Sequence, residues 1–307
     1  MCSTTFAQKD NSFFPIYLDG KQGFINKIGE IVIKPQFMQC SYTSRFVEDL
    51  AIICTQDNDK AGFIDRTGKF VIEQKFSGGR NFSEGLAVVY FGEYGLHHGY
   101  ESAGFTDKTG KIVIEPIFQD AMDFSGGLSA VRKNGKSGFI NKTGKVIIPF
   151  QFDYAFSFKE GLAVVFVNNK FGYIDKMGNF VIEPQFTNVE SFSEGLACVI
   201  IGGNTILPYP YSMSLGEGER NYAYINKKGE ILFKFKADSA DSFSDGLAAV
   251  EINNKFGFID KKGKFIIKTE FQYAEDFNNG LARGCERIIE KCGYINKTGK
   301  IVWKPTE

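Results

Sequence analysis

Short apolar runs alternate with turn residues along almost the whole chain, which is the pattern of antiparallel strands joined by tight turns. Around the middle of the chain, residues 162–165 form an apolar run, Asn168 and Asn169 follow as a turn signal, and residues 171–175 form a second run. The run at 162–165 is apolar at consecutive positions, so we expect both of its faces to be covered.

A third apolar run at 180–182 ends near Pro184, which has no N–H to donate and therefore marks a strand end or an exposed edge. Residues 186–195 then predict either a short fourth strand or an irregular crossing to the next unit. Each unit is thus predicted to be an antiparallel meander of at least three strands.

One hairpin motif recurs eight times: glycine, aromatic, apolar, Asp or Asn, basic, any residue, glycine. It occupies 23–29, 62–68, 104–110, 138–144, 172–178, 223–229, 257–263 and 293–299, with Ala223 in place of the first glycine. An Asp or Asn that bonds its own backbone, followed three residues later by a glycine, predicts a three-residue hairpin loop with a bulge. The shortest spacing between motifs is 34 residues.

A sequence period of this kind predicts a single repeat array in which small sheets stack on their neighbours. The expected fold is all-β, with eight antiparallel meander units at about 14–49, 50–85, 86–127, 128–161, 162–195, 196–246, 247–280 and 281–307. A propeller-like ring is preferred, closed by residues 3–14 beside residues 299–305, because closure removes exposed strand edges. The alternative is an open β-solenoid or arc.

Composition excludes several classes of partner. Lys plus Arg and Asp plus Glu number 36 each and are scattered, so there is no basic stripe for nucleic acid. No apolar run approaches the roughly 20 residues of a membrane-spanning helix, and the sequence as given shows no signal peptide. We expect a monomer without a cofactor, and the compartment stays open.

Six cysteines are scattered without the close spacing of a zinc site. Cys54 and Cys285 occupy the same place in their repeats as Phe166, so buried free thiols are expected there. The Asp and Asn residues of the hairpins are explained by turn chemistry rather than by calcium, since each loop offers one such residue. The Lys or Arg that follows each of them is expected to be solvated.

Two insertions, 91–102 and 201–221, interrupt the repeat between the first and second strands of their units, so we expect them on one face. Their candidate binding residues are Tyr94, His97, His98, Tyr100, Tyr209, Tyr211 and Met213. Exposed tyrosines are typical of interfaces, which favours a protein or polymer ligand. The alternatives are a metal or acid/base site around the adjacent histidines and a purely structural envelope module; no catalytic or metal residue is assigned.

The linked strings of residues 192–199, 172–178 and 181–186 resemble the bacterial WG repeat family, also described as KWG repeats. The likeness covers about residues 14–305. It implies a β-repeat interaction module without catalytic residues. The position of the family's tryptophan is occupied here by Gln22, Ala61, Ala103, Ser137, Phe171, Tyr222, Phe256 and Cys292, so a role for that ring does not transfer.

Overall fold

The computed structural model describes residues 13–18, 20–26, 30–38, 44–54, 60–93, 102–202, 220–278, 280–285 and 292–303. These residues form β-strands, turns and bends, with no helix among them. The chain divides into two compact units, Met1–Phe150 and Gln151–Glu307.

The first unit holds three sheets. One sheet has six strands in sequential order, β1 (Phe14–Leu18), β2 (Lys21–Ile25), β3 (Ile31–Met38), β4 (Ala51–Cys54), β5 (Ala61–Ile64) and β6 (Phe70–Phe76). The second contains β7 (Gly78–Gly79), β8 (Leu86–Phe91), β9 (Ser102–Asp107) and β10 (Ile112–Phe118). The third contains β11 (Asp120–Ala121), β12 (Leu128–Lys133), β13 (Lys136–Asn141) and β14 (Val146–Phe152), and the division between the units falls within β14.

The second unit holds four sheets, each with four strands in sequential order. They are β15 (Tyr154–Ala155), β16 (Ala163–Val167), β17 (Lys170–Ile174) and β18 (Phe180–Phe186); β19 (Asn188–Val189), β20 (Leu196–Ile200), β21 (Arg220–Asn226) and β22 (Ile231–Ala237); β23 (Ser239–Ala240), β24 (Leu247–Ile252), β25 (Lys255–Asp260) and β26 (Phe265–Phe271); and β27 (Tyr273–Ala274), β28 (Leu281–Cys285), β29 (Cys292–Asn296) and β30 (Ile301–Trp303).

These sheets confirm the predicted all-β repeat and define blades of the β-propeller type, each a small antiparallel sheet of successive hairpins. Within the described residues the sheets number seven rather than the predicted eight, because the first two hairpin motifs share the six-stranded sheet. Met38 on β3 lies opposite Cys54 on β4 and joins them. The predicted fourth strand is present as a two-residue strand such as β19. Of the segments proposed to close a ring, 3–14 and 299–305, residues 3–12, 304 and 305 lie outside the described residues, so the predicted closure stays a prediction.

The hairpin loops have the predicted geometry. In the loop between β17 and β18, the Asp175 side chain accepts a hydrogen bond from the Met177 N–H at 2.9 Å. The Gly178 N–H donates to the Asp175 carbonyl at 3.0 Å, and Gly178 has a φ of 89°. Glycine adopts this left-handed conformation without a Cβ penalty, which explains why it recurs there.

A second kind of turn precedes each long interior strand. Glu194 and Gly195 have φ values of 52° and 85°, and the flanking Ser193 and Leu196 exchange backbone hydrogen bonds of 2.8 and 3.1 Å. Two left-handed residues between a bonded pair form the tight turn that matches strand twist. A glutamate in the left-handed conformation is less stable by roughly 1–2 kcal/mol. We therefore expect its side chain to make contacts that offset this cost.

The core lies between successive sheets rather than inside any one of them. Strand β16 is buried at consecutive positions, as predicted. On one of its faces Val164 and Phe166 pack in one cluster with Val199 on β20 and Ile225 on β21. Within the same cluster the rings of Tyr173 and Phe192 meet edge to face, 4.9 Å apart. Because each blade covers its neighbour's apolar face, neighbouring blades within a unit stabilise each other.

The first glycine of the hairpin motif allows the outermost strand to cross close to its partner. A Cβ on Gly172 would lie 2.7 Å from the Ile182 carbonyl oxygen and 2.8 Å from the Pro184 nitrogen. The register between β17 and β18 shifts here: Phe171 pairs with Phe186, and Tyr173 pairs with Ile182. An advance of two residues along β17 therefore corresponds to four residues along β18. The outer strand therefore bulges over the glycine, and Pro184 lies in this bulge on an edge strand, in keeping with its sequence prediction.

The cysteines differ from expectation. Cys54 and Cys285 are each disulfide-bonded, so the predicted free thiols at these two positions are wrong. Cys292 lies directly opposite Cys285 in the strand pairing. Cys198 is a free, buried thiol. Repeat position alone could not reveal this, because the pairing of thiols depends on three-dimensional proximity.

Candidate functional site

The candidate residues named from the insertions lie outside the described part of the structure. This applies to all seven of them, Tyr94, His97, His98, Tyr100, Tyr209, Tyr211 and Met213. The structure does describe where the second insertion leaves and rejoins its sheet, at Ile201 after β20 and at Arg220 on β21. The sheet β19–β22 that carries this insertion can therefore be compared with its repeats.

This sheet departs from the others at the crossing of its outer strand. Ala223 replaces the motif glycine, and it lies directly opposite Lys234 without an interruption. Pairing runs evenly from Tyr224 and Phe233 to Arg220 and Ala237. Since β22 does not bulge inward over residue 223, a methyl group fits where a glycine is required in β17.

The residue types explain the difference. At the place of Pro184, β22 has Phe235, whose ring stacks on Tyr222 at 5.9 Å with an interplanar angle of 22°. Phe233 replaces the usual isoleucine and packs against Tyr224 at 5.1 Å. These aromatic pairs occupy opposing positions on one face of the two strands and favour even pairing over a bulge.

A cavity of ≈ 390 Å³ opens beside this aromatic pair, at the base of the insertion. Its lining residues are Ile201, Asn221, Tyr222, Lys234, Phe235 and Lys236. Both lysines are exposed, whereas Tyr222 is buried. The cavity thus offers an apolar and aromatic wall beside positive charge, which suits an anionic group attached to an apolar or planar body.

Sequence reasoning identified the insertion but missed this surface. The substitution of Ala223 for glycine was visible in the repeat alignment, and the absence of a proline near residue 235 was visible as well. The sequence did not show why these two changes matter. The motif glycine allows the outer strand to approach closely, and this role is visible only in the strand pairing.

Acidic side chains gather in the second unit on three successive crossings, one or two residues before Phe192, Phe243 and Phe277. Burial among protein groups raises the pKa of Glu190, and the carboxylates of Asp241 and Asp276 raise it further. Burial also raises the pKa of Asp241 to about 6, with contributions from Asp276 and Glu251. The Glu190, Asp241 and Asp276 side chains still reach solvent, as expected for carboxylates that line a recess.

The buried thiol of Cys198 lies among these groups. Its pKa is raised by burial and by the charge of Glu190, while a hydrogen bond involving Tyr224 opposes the shift. The Tyr224 hydroxyl donates to the Asp241 carbonyl at 2.6 Å. A thiol with a raised pKa is a poor nucleophile at neutral pH, so Cys198 serves packing in this arrangement.

A polar network occupies the first unit. The Arg80 guanidinium donates to the Tyr90 hydroxyl at 3.1 Å, and that hydroxyl donates to Asp120 at 3.3 Å. Burial raises the pKa of Tyr90 to about 12, although Arg80 opposes this effect. Tyr90 therefore stays protonated at neutral pH and connects the β7–β8 region to β11.

Four lysines of the hairpin loops form ion pairs while their side chains stay partly exposed to solvent. Each of the four lies 3.1 to 3.2 Å from a turn glutamate belonging to the preceding blade. The pairs are Lys108 with Glu48, Lys142 with Glu84, Lys227 with Glu160 and Lys261 with Glu194. These contacts tie neighbouring blades together, so this row of positive charge is largely neutralised.

The same glutamates accept backbone hydrogen bonds from the turn of the next blade. Glu160 accepts from the Gly195 N–H at 3.0 Å, and the Lys227 ammonium also donates to the Glu160 carbonyl at 2.9 Å. The three contacts explain why glutamate is used at a left-handed position. We call this combination of glutamate, glycine N–H and lysine the blade latch.

No group of three or more His, Cys, Asp or Glu side chains in the described ranges is arranged to hold a metal ion. In the hairpin loops, Asp65 accepts from the Thr67 hydroxyl and N–H at 2.6 and 2.8 Å, as turn chemistry predicts. Within the residues that the structure describes, no helix is long and apolar enough to cross a membrane.

The fold and the repeated contacts define a β-propeller-type repeat protein. A family model described as "WG containing repeat" matches residues 23–58, 62–94, 104–136, 138–171, 171–204, 222–256 and 256–283. The chain belongs to this family, as the resemblance of its motifs implied. No curated protein matches the chain.

Two solved structures share the fold at low sequence identity. The structure titled "Crystal structure of the eukaryotic initiation factor" has a TM-score of 0.56 and 11% identity, covering 96% of this chain and 95% of that one. "Dihydro-heme d1 dehydrogenase NirN in complex with DHE" has a TM-score of 0.60 and 10% identity, covering 99% of this chain and 75% of that one. At this identity the likeness concerns the fold alone.

Proposed function

We propose that this WG-repeat protein is a non-enzymatic scaffold that binds a protein or extended polymer through the β19–β22 blade and the insertion that leaves it. The proposal rests on one observation: the same blade differs from the other repeats in two ways, by its insertion and by the even pairing of β22 beside the cavity. The insertion spans residues 201–221, and the cavity of ≈ 390 Å³ is lined by Ile201 and Asn221 at its two ends and by residues of β22. Insertions on repeat arrays are common sites of recognition.

The chemistry of the surroundings supports binding over catalysis. The cavity wall combines Tyr222 and Phe235 with Lys234. Aromatic residues are enriched at interfaces, and a lysine beside them offers charge complementarity to an acidic partner. Among the described residues that line it there is no Asp, Glu, His, Ser or Cys, the residue types that usually supply a nucleophile or a general base. The first insertion is a second candidate contact for the same partner.

Partner capture from the native host tests this proposal. The full chain and a variant lacking residues 203–218 are immobilised, and proteins and polysaccharides that bind saturably are quantified. We expect capture by the full chain and its loss in the deletion variant. A His97→Ala, His98→Ala double variant is the matched control and should retain capture and metal content.

Two results would contradict the proposal. Equal capture by the deletion variant would remove the insertion from the binding surface. Loss of stoichiometric metal or of a hydrolytic activity in the double histidine variant would favour the metal or acid/base alternative instead.

A further inference from the structure

The two disulfide-bonded cysteines among the described residues occupy the same place in the repeat. Cys54 ends β4 and Cys285 ends β28, each four residues after the leucine that begins its apolar run. In the sheets between them this place is held by Tyr90, Arg132, Phe166, Ile200 and Glu251. The disulfides therefore belong to the first and the last sheet in chain order, β1–β6 and β27–β30, and the repeat itself does not call for them.

In the first sheet, Cys54 lies at the joint between two hairpin motifs. The pairing of β3 with β4 consists of Met38 opposite Cys54, whereas β4 and β5 pair at four positions, from Ala51 to Cys54. One residue pair supplies few backbone hydrogen bonds, so this joint is the weakest in the sheet. The covalent bond that Cys54 makes acts at this joint.

In the last sheet, the strand that carries Cys285 is less buried than its counterparts. Leu281 is 37% exposed, whereas Leu162 at the same place of an earlier blade is 9% exposed. Arg283 is exposed and Gly284 has no side chain, at places where β16 carries two valines. This sheet buries fewer apolar side chains than the others, and disulfides commonly stabilise domains whose apolar core is small.

The strand register gives Cys285 an expected partner. Cys285 lies directly opposite Cys292 in the pairing of β28 with β29. Residues opposed in this way have Cα atoms roughly 4.5–5.5 Å apart, within the range of about 4.4–6.8 Å that a disulfide bridges. Cys198, by contrast, is buried on β20 and carries a free thiol, so the chain provides its own reference for an unbonded cysteine.

We propose that these disulfides hold the first and last sheets of the array closed, that the protein acquires them in an oxidising compartment, and that a dithiol reductant opens the two sheets. Structural disulfides persist outside the cytosol and are rare within it. The inference is independent of the proposed binding function, which concerns the β19–β22 blade and its insertion.

The chemistry is thiol–disulfide exchange. When a disulfide forms, two cysteine sulfurs are joined, and two protons and two electrons pass to the disulfide of an exchange partner, which leaves as a dithiol. In the reverse direction, a thiolate of a dithiol reductant attacks one of the bonded sulfurs and forms a mixed disulfide. Its second thiol then releases two cysteine thiols, and the reductant becomes a disulfide.

Thiol trapping in the native host tests the compartment. Cells are quenched with acid, the denatured proteins are alkylated with N-ethylmaleimide, and the cysteine peptides of the full chain are quantified by mass spectrometry. We expect Cys54 and Cys285 to be protected from alkylation and Cys198 to be alkylated. Cys285 should be recovered in a disulfide-linked peptide with Cys292.

Hydrogen exchange of the purified full chain tests the effect on the fold. The oxidised protein is compared with the same protein in dithiothreitol. We expect amides of β27–β30 to exchange roughly a hundredfold faster after reduction, and amides of β15–β18 to change by less than about twofold. Cys285→Ser should reproduce the effect on β27–β30 without reductant and leave β1–β6 as in the oxidised protein.

The matched control is Cys198→Ala, which removes a free thiol and no disulfide. Its response to dithiothreitol should equal that of the unaltered protein. Alkylation of Cys54 and Cys285 in most of the native protein would overturn the assignment to an oxidising compartment. Exchange in β27–β30 that is the same before and after reduction would overturn the closing role, as would an equal acceleration in β15–β18. A response to dithiothreitol that is lost in Cys198→Ala would make the free thiol the sensitive group instead.

Discussion

The blade latch allows a direct test of whether contacts between neighbouring blades contribute to the free energy of unfolding. Glu160 lies 3.1 Å from Lys227 and accepts from the Gly195 N–H, while Lys227 reaches the Glu160 carbonyl. The Glu160 and Lys227 side chains are 33% and 44% exposed. An ion pair at this exposure contributes about 0.2–1 kcal/mol, and the charged acceptor for the Gly195 N–H adds roughly 1 kcal/mol.

We therefore expect Glu160→Ala to lower the free energy of unfolding by about 1–2 kcal/mol. For a chain of 307 residues that corresponds to a fall in melting temperature of roughly 1.5–3 °C. Glu160→Gln should cost about half as much, since the amide oxygen can still accept from Gly195. Calorimetry and circular dichroism of the full chain measure both variants.

A double-mutant cycle isolates the ion pair. Combining Glu160→Gln with Lys227→Met should give a coupling of about 0.5 kcal/mol that shrinks at high salt. Lys228→Met is the matched control, because Lys228 is the next residue of the same loop and is also exposed. A coupling near zero, or an equal effect of Lys228→Met, would refute the view that the latch connects blades energetically.

The latch also has a pH signature. Partial burial alone would raise the pKa of Glu160, but its hydrogen bond to Lys227 and the Gly195 N–H lower it overall. A carboxylate with a depressed folded-state pKa stabilises the protein above its unfolded pKa, and this contribution is lost as pH falls through the folded value. The difference in melting temperature between wild type and Glu160→Gln should therefore vanish in acid.

Three further predictions concern single positions. Gly172→Ala should destabilise the protein by about 2–4 kcal/mol, since its Cβ would lie 2.7 Å from the Ile182 oxygen. Ala223→Gly should destabilise it by only about 0.5–1 kcal/mol, measured by thermal unfolding. Similar costs for the two variants would contradict the inference that β18 bulges over Gly172 and β22 does not bulge over Ala223. Asp241→Asn should raise the melting temperature at pH 7.5 and leave it nearly unchanged near pH 4. With the pKa raised from 3.8 to about 6 in the folded state, ionisation of Asp241 costs stability that builds up between these two values and is complete above them; a constant gain at both pH values would point to packing instead. Tyr224→Phe should lower the melting temperature by removing the 2.6 Å bond to the Asp241 carbonyl, with an effect of about 1 kcal/mol, and an unchanged value would show that this carbonyl finds another donor.

Much of the fold was predictable because local chemistry sets it. The Asp or Asn of each hairpin and the glycine three residues later specify the loop, as the contacts of Asp175 and Gly178 show. The consecutive apolar residues of β16 correctly predicted a strand covered on both faces. Such features depend on neighbours within a few residues, so they can be read from the sequence.

The number of blades and the blade latch depended on contacts between residues that are distant in the sequence, and the disulfides at Cys54 and Cys285 depended on strand pairing. Glu160 and Lys227 are 67 residues apart and meet only because neighbouring blades stack.

The sequence by itself determined the repeat, its strands and its turns, together with the positions where the repeat is interrupted. Only the tertiary structure decided why the motif glycine is needed, through the approach of Ile182 and Pro184 to Gly172. For the same reason, only the structure revealed what Ala223 signifies: an outer strand that pairs evenly and leaves a regular edge. Strand register is a relation between two segments, and no single segment encodes it.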